Sequence, residues 1–141
     1  MGKRFSIRVY AIIDLDSANH ILATREFYKG VEMVKFPGGG MQWGEGIFDA
    51  LHRELSEELG LELYDAEQFY VYEKPIISVF DPEISVIPIY YRVYPKQSFE
   101  IRNNEILQLL PLSVSESSIN LLTFENDRQA MLYYLKNFSK K

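Results

Sequence analysis

The stretch GGMQWGEGIFDALHRELSEELGL, Gly39 to Leu61, decides the fold. Within it Ile47, Leu51, Leu55 and Leu59 recur every fourth residue as one apolar stripe, and Gly60 stands where a helix would stop. The spacing predicts a helix. At about 100° per residue, Glu54 and Glu58 fall in or beside the stripe, and Glu57 lies about 60° to one side of Glu54. Carboxylates one turn apart repel each other, and partial desolvation raises their pKa values unless a cation holds them ionised. A hard divalent ion relieves both costs. The alternative, a solvated acidic face with intrahelical ion pairs, is weakened by the local charges. Glu45, Asp49, Glu54, Glu57, Glu58, Glu62 and Asp65 face Arg53 as the one firm cation. Oxygen donors without cysteine or paired histidines favour magnesium, with manganese possible, over zinc.

Upstream, Val34–Phe36 reads as a short strand running into Pro37, Gly38, Gly39 and Gly40. Consecutive glycines let a backbone approach a ligand closely. A strand, a glycine loop and a helix in that order bring backbone carbonyls near the helix carboxylates, which makes Gly39 a candidate substrate contact. The same glycines could serve as a tight structural turn.

Gly39, five residues, Glu45, seven residues, then Arg53, Glu54, Leu55, Glu57, Glu58, Gly60 and Leu61 resemble the signature box of the Nudix hydrolases, with every specified position filled. The resemblance implies an α/β/α sandwich and cleavage of a nucleoside diphosphate linked to another moiety. It implies Glu54, Glu57 and Glu58 as metal ligands, Glu58 the most dependable, and Gly38 as a carbonyl ligand. Arg53 would orient Glu57 by charge-assisted hydrogen bonding. Glu45 is either an outer ligand through water or a support for the loop. Family members take their general base from the box, here Glu57, or from a later loop, where Glu105 is the candidate with Glu100 and Glu83 behind it.

Substrate identity stays open between an ADP-ribose or nucleotide-sugar type and a nucleoside triphosphate. Pro75 lies about fifteen residues beyond the box, as in members acting on ADP-ribose. The chain shows no extra N-terminal sheet region of the kind many dimeric ADP-ribose hydrolases carry. Some Nudix domains only bind nucleotides or metabolites as regulators, and their boxes usually lose a glutamate. None is lost here, which favours a hydrolase.

Read in order, Phe5–Asp14 and Ile21–Phe27 have the β-branched and aromatic content of two strands forming a hairpin, with a turn over Leu15–His20. Arg25 is a candidate phosphate contact on the second of them. Phe36 and Trp43 either pack or contact a base, packing being favoured. Tyr28–Val31 reads as a loop. Leu61–Tyr64, Phe69–Ile77, Ile84–Tyr94 and Glu105–Leu112 read as strands, with Pro88 suggesting an edge or bulge in the third. Ser113 to Glu116 has the form of a capping box opening a short helical segment towards Leu122. A last helix carries Ala130, Met131, Tyr134, Leu135 and Phe138 at core spacing, and Lys136 and Lys140–Lys141 read as a solvated tail.

At 141 residues the chain is expected to be one α+β domain, 1–141, with a mixed sheet flanked by helices. A 47% hydrophobic composition supplies a core, yet no apolar run reaches the roughly 20 residues of a membrane span. Absence of cysteine removes disulfides and thiol nucleophiles, and with no signal-peptide pattern it points to the cytoplasm. A net charge of −5 argues against a general nucleic-acid surface. It leaves a small nucleotide as the expected partner, because a bound metal inverts the local field. Monomer and homodimer are both compatible with the sequence.

Overall fold

The computed structural model describes residues 2–15 and 19–138. β1 (Arg4–Asp14) and β2 (His20–Tyr28) run antiparallel, as the sequence predicts. The predicted turn between them falls partly outside the described residues, as do Lys140 and Lys141. At Lys29 and Gly30, φ is 48° and 79°. Two left-handed residues close a hairpin tightly, so β3 (Val31–Lys35) starts three residues before the predicted strand and pairs with β2 from Tyr28–Val31 onward.

The predicted glycine loop is instead a strand, β4 (Gly38–Gly40), antiparallel to β1 with Arg8 opposite Gly40 and Tyr10 opposite Gly38. Gly38 has φ 145°, and a Cβ there would overlap the Val9 carbonyl oxygen. Glycine is required for β4 to lie this close to β1. The predicted helix is α1 (Ile47–Leu59). Gly60 ends it in the left-handed conformation at φ 66°, its N–H donating to the Ser56 carbonyl at 2.9 Å while that of Leu61 reaches Leu55 at 3.3 Å. This paired closure satisfies carbonyls a helix end leaves open.

Leu61–Tyr64 is not a strand. Leu61 and Leu63 turn into the core from an irregular segment, so apolar content there reflects burial rather than pairing. β5 (Ala66–Val71) is shorter than predicted and pairs antiparallel with β6 (Ile84–Val93), which runs parallel to β1. Pro88 therefore sits in an inner strand rather than at an edge, and of the two expectations it is the bulge that has a counterpart, in the register shift of β5 opposite Tyr90 and Tyr91. The Pro88 carbonyl accepts from the N–H of Tyr72 at 3.2 Å, on the side where β5 has ended at Val71, so the missing N–H of this proline breaks no ladder. β7 (Ile106–Ser113) pairs with β2. The helical segment after it is a 3-10 turn, Glu116–Leu121, capped at Ser115 without a side-chain hydrogen bond. The predicted capping box does not form, because Ser113 Oγ bonds instead with Ser115 Oγ and Ser118 Oγ at 2.8 and 2.9 Å. α2 (Glu125–Phe138) buries Ala130, Met131 and Tyr134.

The strands form one mixed seven-stranded sheet, ordered β3-β2-β1-β6-β5, with β4 on β1 and β7 on β2. Alternation along β1 feeds two cores: Val9, Ala11 and Ile13 meet Leu51, Leu55 and Leu59 of α1, and Tyr10 and Ile12 meet Met131 and Tyr134 of α2. Each fully buried leucine of α1 contributes about 1.5–3 kcal/mol. The result is an α+β sandwich. Among the described residues, β1 and β2 are paired at Ile13–Leu22 and Asp14–Ile21. Beyond that point β1 takes β4 and β2 takes β3, and a cavity occupies the fork.

Candidate active site

A cavity of about 370 Å³ is lined by Ser6, Arg8 and Tyr10 on one side and by Glu26, Tyr28, Met33 and Lys35 on the other. Its floor is β4. Glu54 and Glu58 reach it from α1 because the glycines of β4 put no side chain in their way. A Cβ on Gly39 would overlap the Glu54 carboxylate, and the N–H of Gly38 donates to Glu58 Oε1 at 3.1 Å. The apolar wall is Ile76 to Phe80 with Ile84 and Val86, and Phe124, Asn126 and Asp127 close the α2 end.

Arg53 clips the loop before α1 to the helix. It donates from Nε to Glu45 Oε2 at 2.6 Å, from Nη2 to the Gly40 carbonyl at 2.9 Å, and from Nη1 to Glu54 and Glu57 at 3.2 and 3.3 Å. Glu45 also accepts from the Gln42 N–H at 2.8 Å and so supports the loop. Glu57 is mostly exposed, joined to Arg53 along the helix surface.

Burial pushes the Glu58 carboxyl up to about 8; Lys35 pulls it down, and Glu26 and Glu54 push it further up. Burial likewise raises Glu54 against the pull of Arg53. Burial works to lower Lys35, yet Glu26 foremost, then Glu58, Tyr10 and Asp127, outweigh it and keep the ammonium charged. Its Nζ donates to the Phe36 carbonyl at 2.8 Å and lies 3.4 Å from Glu26 Oε2, which also accepts from Thr24 at 2.6 Å. Asp127, wholly buried at the start of α2, is raised by that burial to about 6 while accepting from the Tyr90 hydroxyl at 2.6 Å and the Phe36 N–H at 3.3 Å.

The cavity therefore brings together Gly38, Gly39, Glu54, Glu58 and Glu105. Glu105 takes its place at the start of β7, where its carbonyl accepts from the Phe27 N–H and its own N–H donates to Asn103 Oδ1 at 2.8 Å. Arg25 and Phe36 are not among the lining residues. Strand alternation turns Arg25 away from Glu26, and it pairs with Glu32 and Gln108 on the outer face. Phe36 is fully buried, edge-on to Tyr90. Trp43 neither packs nor lines the cavity and is fully exposed. Sequence reading assigned no site role to Arg8, Lys35, Glu26 or Asp127. The alternation of Ser6, Arg8 and Tyr10 on one face of β1 was the available signal. Nothing in the sequence marked Asp127, whose burial depends on Tyr90 from a distant strand.

Among the described residues no group of three or more His, Cys, Asp or Glu side chains is already gathered as a metal site. The donor set nevertheless fits a hard divalent ion. Two carboxylates and a backbone strand converge on oxygen alone, Gly39 leaves open the space that a side chain would take from Glu54, and Glu58 is a buried acid that a cation would stabilise as the anion.

The NUDIX domain model matches residues 4–134. Comparison with curated proteins returns no match. Solved structures similar to this chain include a putative Nudix hydrolase family member from Chromobacterium violaceum, 21% identical, with a TM-score of 0.73 and coverage of 96% of this chain and 80% of that one. The Escherichia coli dihydroneopterin triphosphate pyrophosphohydrolase is 15% identical with a TM-score of 0.76 over 93% and 95% of the two chains. The bifunctional NMN adenylyltransferase/ADP ribose pyrophosphatase from Francisella tularensis is 18% identical with a TM-score of 0.73, and 97% of this chain covers 42% of that one. Fold, box and family match agree: the chain belongs to the Nudix family.

Proposed function

We propose that this protein hydrolyses a phosphoric anhydride bond in a nucleoside diphosphate joined to another moiety, with magnesium or manganese held by Glu54, Glu57, Glu58 and the Gly38 carbonyl. The observation that carries it is the delivery of Glu54 and Glu58 through a glycine strand onto the floor of a cavity with room for a nucleotide. A divalent ion bound there would neutralise charge on the anhydride oxygens and acidify water.

The protein's own residues do the rest. Arg53 fixes Glu54 and ties the loop at Gly40 to α1, so that carboxylate is held before substrate arrives. Glu57, which Arg53 holds on the helix surface outside the cavity lining, would have to leave Arg53 to join a metal there. Glu105, which lines the cavity, accepts a proton from the attacking water, with Glu57 as the second candidate for that role. Tyr28, Met33, Val79 and Phe80 offer apolar and aromatic surface for a base or sugar, Tyr28 and Phe80 meeting edge-on at 5.1 Å.

ADP-ribose and nucleotide sugars on one side and nucleoside triphosphates on the other both contain the bond this floor would cleave. Phosphate-product analysis against both classes and dinucleoside polyphosphates, with magnesium supplied, decides between them. Cleavage confined to one class names the substrate; nucleotide binding with no cleavage of any member would replace the hydrolase by a binding module.

A further inference from the structure

Five carboxylates line the cavity, Glu26, Glu54, Glu58, Glu105 and Asp127, against two cations, Arg8 and Lys35. Lys35 is committed: its ammonium serves the Phe36 carbonyl and Glu26 and stands over the Tyr10 ring at 5.2 Å. Arg8 is not. Its Nε donates to the Tyr10 hydroxyl at 2.7 Å, while among the described residues neither Nη nitrogen has a hydrogen-bond partner and no carboxylate lies within ion-pair distance. The guanidinium is nonetheless fixed in place. Tyr10, which holds it, packs on Tyr90 at 5.4 Å between ring centroids, and Arg8 stands directly opposite Gly40 in the β1–β4 ladder. A Cβ on Gly40 would lie 3.5 Å from Arg8 Nη1 and 3.8 Å from Ser6 Oγ. Two free donors and a hydroxyl thus line the end of the glycine strand, beside the carboxylate floor.

We propose that Arg8 is a phosphoryl-binding residue, taking two oxygens of a substrate phosphoryl group with its Nη fork while Ser6 Oγ and the β4 backbone border the same group. A planar fork with two open donors matches a phosphoryl group in two-point contact, and the Tyr10 bond spares the side chain part of the ordering cost of binding. A phosphoryl group offers the oxygens the fork can take, and a divalent ion on the carboxylate floor would offset the repulsion of the neighbouring carboxylates. This inference rests on the anhydride-substrate reading of the same cavity.

The test is calorimetric titration of the four α,β-methylene nucleoside diphosphates, which resist cleavage, into wild type, Arg8→Lys, Arg8→Gln and Tyr10→Phe with magnesium present. Arg8→Gln weakens the tightest-binding probe roughly tenfold or more. Arg8→Lys recovers part of the loss, and Tyr10→Phe, which keeps the charge but frees the fork, weakens binding less than Arg8→Gln. Magnesium affinity measured without nucleotide does not fall in the Arg8 variants, because Arg8 is a cation facing Glu54 and Glu58. Equal probe affinity in wild type and a folded Arg8→Gln overturns the inference, as does a wild type that binds none of the four. If Arg8→Gln does not fold, Arg8→Lys with wild-type affinity is the overturning result. Wild-type anhydride cleavage with no change in Arg8 probe affinity sinks only this inference. Loss of probe binding in Arg8→Gln without wild-type cleavage sinks only the hydrolase reading.

Discussion

Glu58 concentrates the physical tension of the site. Its carboxyl is raised from an ordinary 4.5 to about 8, chiefly by burial, so between those values the folded protein binds a proton the unfolded chain does not. Stability of the metal-free protein therefore falls as pH rises from about 4.5 to 8, and Asp127 adds a drop of the same sign between 3.8 and about 6. Urea denaturation across this range checks it: Glu58→Gln keeps the Asp127 drop and loses the upper part of the slope. If Glu58 holds the proposed metal, binding displaces its proton, and magnesium affinity is then expected to rise with pH up to about 8 and level off. Protection of the melting temperature by magnesium, greater at pH 8 than at pH 6 in wild type and flat in Glu58→Gln, is the matching observation.

At the scale of elements, β4 separates two kinds of glycine. Gly38→Ala forces a Cβ against the β1 backbone at a φ of 145°, and should cost roughly 2 kcal/mol or more of stability in denaturation. The three atoms nearest a Cβ on Gly39 all belong to the Glu54 carboxylate, a side chain able to move. The effect of Gly39→Ala falls on kcat rather than on folding, with kcat down on the order of 10-fold or more as the ligand is displaced. Arg53→Lys keeps a charge but loses the fork that joins Glu45, Gly40, Glu54 and Glu57. Steady-state kinetics should show a large fall in kcat with a smaller change in melting temperature, because most of these bonds are partly exposed. Glycine carries no strand preference, so the pairing with β1 was invisible until the register of β1 was known.

At the scale of the molecule, the sheet forks because β1 leaves β2 beyond the Ile13–Leu22 pair, and the site lies in the fork. Much of this was legible in the chain. The stripe from Ile47 to Leu59 and the stop at Gly60 were read from period and turn chemistry, and β1 and β2 from their β-branched and aromatic content. Side chains whose role depends on which strands part and which face they then meet were not. Arg25 and Arg8 are both strand arginines, and only the register shows that Arg8 enters the cavity and Arg25 does not. Arg25→Ala is accordingly expected to leave kcat/KM unchanged, in contrast to Arg8→Gln.

The most direct measurement is the rate of anhydride cleavage of the preferred panel substrate by wild type and Glu58→Gln, each with magnesium, with manganese and with a chelator. Cleavage that requires a divalent ion and falls on the order of 100-fold or more in Glu58→Gln is the predicted result. Cleavage that persists in chelator, or at wild-type rate in a folded Glu58→Gln, would contradict the assignment of this floor as the catalytic metal site.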